Sequence, residues 1–137
     1  MHLYACNTLN SRTATDRTTS QFYDALGRAR TSPEATSIDL GTGMTAKSLS
    51  LGGEHTCAIL NDDSIKCWGA GHYGQLGYGD ASSRTSPEAT SIDLGTGMTA
   101  KAISLGQHHT CATLNDDSIK CFGKNNLGQL GYGDTAQ

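Results

Sequence analysis

Hydrophobic and polar residues alternate from Ala46 to Leu51, with Leu49 and Leu51 on one side, and that period of two predicts a strand. Gly52-Gly53 breaks the run. His55 to Leu60 and Ser64 to Gly69 read as two further strands, joined by Asn61-Asp62-Asp63. Upstream, Thr36 to Leu40 reads as a short strand, and Gly41-Thr42-Gly43 as the turn that follows it. Ser32 precedes Pro33 and is pushed towards extended φ/ψ, so no helix starts there. Beyond the hairpin, Gly74 to Asp80 holds three glycines in seven residues, which predicts a tight loop in place of a strand.

The whole pattern then returns. Gly52–Asp80 reappears 54 residues on as Gly106–Asp134, and Ser32–Leu40 reappears unchanged as Ser86–Leu94. Between Ser32–Asp80 and Ser86–Asp134 only ten positions differ. A period of this length signals a repeat architecture. The unit is a blade of four short strands with a glycine-rich exit, and blades set radially make a propeller. The chain divides into a divergent or truncated segment, 1–31, and two repeats, 32–85 and 86–137. In the first segment Cys6-Asn7-Thr8-Leu9-Asn10 echoes Cys111 to Asn115, but no second cysteine follows and Ser11 to Ser20 is polar. It reads as a degenerate remnant, partly disordered; a short helix through Phe22, Tyr23 and Leu26, capped by Ser20, is the alternative.

The hairpin fixes a register. A three-residue connection is usually a type I turn followed by one residue in the left-handed region, here Asp63. Leu60 then pairs with Ser64, and counting back sets Cys57 opposite Cys67 as a non-hydrogen-bonded pair, within reach of a disulfide. Cys111 and Cys121 repeat the arrangement. In an oxidising compartment each pair forms a disulfide, whereas in a reducing cytosol the four are small packed thiols. Cys6 has no evident partner. The rival reading is zinc, with His55, Cys57 and Cys67, or His108, His109, Cys111 and Cys121, as ligands. Neither set has the short Cys-x-x-Cys knuckle, so no metal ligand is assigned. A thiol enzyme would need an orienting group and an oxyanion pocket that nothing here specifies.

Asp62-Asp63 and Asp116-Asp117 sit at hairpin tips, where turn chemistry accounts for them better than acid–base work or calcium. The glycine-rich loops lack the Gly-Lys-Ser/Thr of a phosphate loop. Trp68 and Phe122 read as packing residues. His72, Tyr73, Tyr78 and Tyr132 lie on exit loops and are the candidate partner-binding residues.

Leu60-x-x-x-x-Ile65-x-x-Trp68-Gly69, followed by Gly74-Gln75-Leu76-Gly77-x-Gly79, resembles the repeat of the regulator of chromosome condensation family of seven-bladed β-propellers. The match recurs at Leu114, Ile119, Phe122-Gly123 and Gly128 to Gly133. The cysteine-bearing version, His-Thr-Cys-Ala with Lys-Cys-Trp-Gly, is similar to a subset of that family. Asn125 fits the family's asparagine after the Trp-Gly position; Gly71 does not. The resemblance implies an all-β, open and partial β-propeller: two complete four-stranded antiparallel blades and a remnant. Exchange-factor members act through a face and loops assembled by the whole ring, so a guanine-nucleotide exchange role for a small GTPase is implied by fold analogy alone. None of their functional residues has a match to carry over.

Composition narrows the partners. Seventeen glycines against two Phe and one Trp suit a turn-dense β protein. A net charge of -3 and no Lys/Arg run argue against a nucleic-acid surface. No apolar stretch nears the roughly 20 residues that span a bilayer, and Met1 to Cys6 lacks the features of a secretory signal. Compartment stays open: cytoplasmic if the thiols are free, extracellular if they pair. The expected function is a protein-interaction or structural module, not an enzyme, without cofactor, with an unknown protein partner. Two blades cannot close a ring, so an apolar blade face is left open. The chain is then a piece of a longer one, or copies associate.

Overall fold

The computed structural model describes residues 35–137, together with two short strands, β1 (Phe22–Tyr23) and β2 (Ala29–Arg30), which pair antiparallel. Phe22 and Tyr23 are thus extended, not helical. Cys6, Leu26 and the rest of the proposed remnant lie outside the described residues.

Residues 38–137 form one unit. Blade 1 is an antiparallel sheet of β3 (Ala46–Leu51), β4 (His55–Leu60) and β5 (Ile65–Gly69), in that order. Blade 2 repeats it as β6 (Ala100–Leu105), β7 (His109–Leu114) and β8 (Ile119–Gly123). The hairpin register is the one the spacing predicts. Leu60 N–H donates to Ser64 C=O at 2.8 Å, Cys57 faces Cys67, and Asp63 takes the left-handed conformation at φ 65°. Asp117 does the same at φ 68°. At the first strand a bulge leaves Lys47 unpaired, and its ammonium reaches back to Asp63. Lys101 and Asp117 repeat that contact.

Each sheet carries three strands where the sequence predicts four. Thr36–Leu40 and Thr90–Leu94 form no ladder of their own. The reason is that the opening segment of repeat 2 crosses back to the outer edge of blade 1. Gly69 and Arg84 exchange both backbone hydrogen bonds, at 2.7 and 2.8 Å, and Ile92 N–H donates to Ile65 C=O at 2.9 Å. Between those points β5 advances four residues and the crossing segment eight, so the segment bows outward around Pro87, which has no N–H to offer. It is a strap pinned at its ends. A blade therefore begins in one repeat and is finished by the next.

The core lies between the blades. The Cys57–Cys67 bridge, Ile59, Ile65 and Leu76 of blade 1 meet Ile92, Leu94, Ala100, Ala112 and Leu114, with Phe122 packed at the margin. Gly77 makes the close approach possible. A Cβ there would stand 2.7 Å from the Phe122 ring and 3.1 Å from Ile92, while its counterpart Gly131 faces open space at nearly the same φ, +80° against +79°. Alanine at either site meets the same left-handed strain, but only at 77 does it overpack the joint. Gly77→Ala should therefore destabilise by about 1 kcal/mol or more beyond Gly131→Ala in urea unfolding; equal losses would contradict this packing.

Candidate functional site

The two cysteine pairs are disulfides, with Cα–Cα separations of 4.1 Å in each blade. Their sulfurs are bonded to each other, which leaves no thiolate for the zinc sets. Among the described residues, no three His, Cys, Asp or Glu side chains gather as a metal site. The acidic pairs are turn residues: Asp62 accepts from the Ser64 N–H at 3.1 Å and from its hydroxyl at 2.6 Å, and those bonds hold its carboxyl below the usual range.

The four aromatic candidates divide. Tyr78 is spent on its own blade: its hydroxyl accepts from Cys67 N–H at 3.2 Å and donates to Cys67 C=O at 3.3 Å. Burial pushes its pKa up, which keeps that donor protonated. Because Cys57 and Cys67 form the non-hydrogen-bonded pair, the Cys67 backbone groups point away from β4, and the tyrosine satisfies them. Tyr132 does the same for Cys121, at 2.9 and 2.7 Å, yet its ring stays exposed. His72, Tyr73 and Tyr132 line one groove of about 720 Å³ beside β8, with Lys120, Phe122 and Leu130 along its floor. Tyr73 lies 5.1 Å from the His108 ring and carries Lys124 Nζ over its face at 4.9 Å. The exit loop of blade 1 and the first turn of blade 2 thus share one end of the unit.

That end is where the repeats diverge. Six of the ten differing positions fall in two loops there: Gly53 and Glu54 against Gln107 and His108, and Ala70 to Tyr73 against Lys124 to Leu127. The loops adjoin, since Ala70 N–H donates to Glu54 C=O at 2.8 Å. At the opposite end the repeats are identical, and an internal job explains why. Asn61 accepts from Thr45 N–H and donates to Gly43 C=O, both at 3.2 Å, and Asn115 repeats the pair.

Sequence reasoning missed the polar joint that locks the blades. His55 Nε2 meets Thr110 Oγ1 at 2.8 Å, and that hydroxyl donates to Gln75 C=O at 2.8 Å. Thr110 therefore accepts from His55, which puts the proton on Nε2 and leaves Nδ1 bare, buried without a partner. Burial holds the His55 pKa below 6.5, and charge on His108 and His109 lowers it further. The folded chain then binds fewer protons than the unfolded one. His55 costs nothing above about pH 6.5 and removes stability as the pH falls from there towards its folded pKa. Unfolding free energy should drop between pH 7.5 and 5, with a shallower drop in His55→Gln; an unchanged slope in the variant would exclude this joint as the cause.

Comparison with known proteins places this arrangement. Two family models described as "Regulator of chromosome condensation (RCC1) repeat" match, one at residues 46–75 and 100–129 and the other at 62–113. The chain is 35% identical over 92 residues to the Ultraviolet-B receptor UVR8 of Arabidopsis thaliana, covering 67% of this chain and 20% of that protein. It is 32% identical over 89 residues to the X-linked retinitis pigmentosa GTPase regulator of Homo sapiens, covering 65% of this chain and 8% of that one. Among solved structures, human WBSCR16 superposes with a TM-score of 0.61 at 23% identity, over 78% of this chain and 27% of that chain. Prp20p of Saccharomyces cerevisiae gives 0.57 at 18%, over 79% and 26%. These relatives share the fold, and the chain spans about a fifth or less of the two sequence relatives.

Proposed function

We propose a function from one premise: the chain belongs to the regulator of chromosome condensation (RCC1) repeat family. It is a propeller-repeat module, and our reading is that it binds a protein partner through its exit-loop end and catalyses no reaction. The observation that carries this is the placement of the differences between the repeats. Two units that agree nearly everywhere depart from one another mainly in two adjoining loops at one end, where His72, Asn126 and Leu127 project into solvent while Gly71 and Asn125 are buried, and loops on one face of a repeat scaffold are where recognition is varied. Tyr73, His72, Lys124 and Leu127 supply the aromatic, cationic and apolar groups that interfaces favour. Leu127 is the most exposed large apolar side chain among the described residues, at 84%.

The relatives support a recognition role in a second way. Their names range from an ultraviolet-B receptor to a GTPase regulator and an E3 ubiquitin-protein ligase, MYCBP2 of Danio rerio. A repeat shared by such different proteins suits a surface that recognises better than one that performs a single reaction. Their activities belong to much longer chains.

A photo-crosslinking residue at position 72 or 127 should capture one discrete partner from the source organism, and the same residue at 42 or 96, at the opposite end, should not. Once the partner is identified, Leu127→Ala should weaken the complex by about 1 kcal/mol or more. Equal capture from both ends would overturn the assignment of this face.

A further inference from the structure

The cations of residues 35–137 are engaged within the chain, with one exception. Lys47 and Lys101 pair with Asp63 and Asp117, and Arg84 pairs with Asp80 and Glu88. Lys66 donates to the carbonyls of Leu40 and Ala89 at 3.0 and 3.1 Å, and Lys120 to that of Leu94 at 2.7 Å. Lys124 alone donates to no oxygen among the described residues. Its Nζ lies instead over the Tyr73 ring, 4.9 Å from the centroid. A ring face attracts an ammonium but leaves its three N–H donors without an oxygen partner.

Charge also changes in a paired way between the repeats. In blade 1, Ala70 N–H donates to Glu54 C=O at 2.8 Å; in blade 2 the same bond joins Lys124 to His108 at 2.9 Å. An acid and an alanine thus give way to a histidine and a lysine at two touching places. The strand end and its hydrogen bond form equally well with alanine, so the fold does not ask for the lysine.

The ring beneath that lysine is held from both blades. Tyr73 comes from the exit loop of blade 1, and its ring stands 5.1 Å from that of His108 in blade 2, inclined at 50°. Tyr73 N–H is tied to Oε1 of Gln75, a fully buried residue, at 2.9 Å. Holding the ring in advance lowers the ordering cost of binding on it. Tyr73, His108 and Lys124 are each half-buried, and His72 beside them is exposed. The exit-loop acids are engaged elsewhere: Asp80 with Arg84, and Asp134 with Asn125 Nδ2 at 3.3 Å and Ala136 N–H at 3.1 Å. Glu54 stands exposed on the turn of blade 1. The cluster belongs to the seam between two blades that are both present.

We propose that the exit-loop end recognises an acidic segment of a protein partner, whose carboxylate is received by Lys124 where it rests on Tyr73. This rests on the exit-loop reading and names the partner's chemistry within it. A carboxylate on an ammonium makes a charge-assisted hydrogen bond, the strong kind.

Panning a phage-displayed library of random dodecapeptides against the 137-residue chain tests this. Retained peptides should be enriched in Asp and Glu over the input, and should crosslink to a photo-reactive residue at 72 but not at 42 or 96. Lys124→Met keeps an aliphatic stem over Tyr73 and should keep the wild-type circular dichroism. It should bind those peptides at least about tenfold more weakly, while Lys124→Arg holds them nearly as well. Peptides without acidic enrichment that still crosslink at 72, or acidic peptides that bind Lys124→Met as tightly as wild type, would overturn this proposal and spare the exit-loop reading. Peptides that crosslink only at 42 or 96 would overturn both. Retention of no peptide would overturn the acidic-segment proposal, and capture from the source organism would still decide the face by itself.

Discussion

Everything in this unit depends on a segment that leaves its own repeat to finish the previous one. The strap Arg84–Ile92 is held to blade 1 through two backbone contacts, a lysine and a serine hydroxyl, and Pro87 keeps it from becoming a full strand. Its return buries Ile65 and Ile92 against each other and closes the Cys57–Cys67 bridge under the joint. Full burial of an isoleucine is worth roughly 1.5–3 kcal/mol, so the strap contributes far more through the side chains it covers than through its few hydrogen bonds. Blade 2 has the same residues, and no segment among the described residues covers them in this way.

The second constraint is how closely the blades approach. Gly77 admits Phe122, and the chain from His55 through Thr110 to Gln75 fixes the blades at their buried rim. Each contact pairs a residue of one repeat with a residue of the next, as in the 55-residue reach from His55 to Thr110. Neighbour-to-neighbour coupling of this sort is how repeat arrays gain stability. The repeats differ at the exit-loop end, where Asn125 is buried and bonds Leu130 N–H and Ala136 C=O while His72 and Leu127 stay exposed.

Much of this was legible in the sequence. The hairpin length set the register that joins Cys57 to Cys67, and the alternation from Ala46 to Leu51 gave the first strand to the residue. Repetition reveals the unit but not its phase: a segment that recurs every 54 residues can belong to the blade before it or the blade after it. That is why Thr36–Leu40 read as a fourth strand. Tyr78 and Tyr132 read as loop aromatics because nothing in a linear sequence reports that a hydroxyl eleven residues on satisfies a cysteine backbone. His55 read as a rival metal ligand because its true partner sits one period plus one residue away.

The central claim is that one sequence sits in two environments because only one copy is strapped. The most direct test is reduction of the native protein, with mass-tagged alkylation to identify which cysteines open. Cys57 and Cys67 are fully buried, while Cys111 and Cys121 are partly exposed in nearly the same local sequence. The account predicts that Cys111–Cys121 opens first and well ahead of its counterpart. Equal rates, earlier opening of Cys57–Cys67, or five reactive thiols before any reductant is added would contradict it.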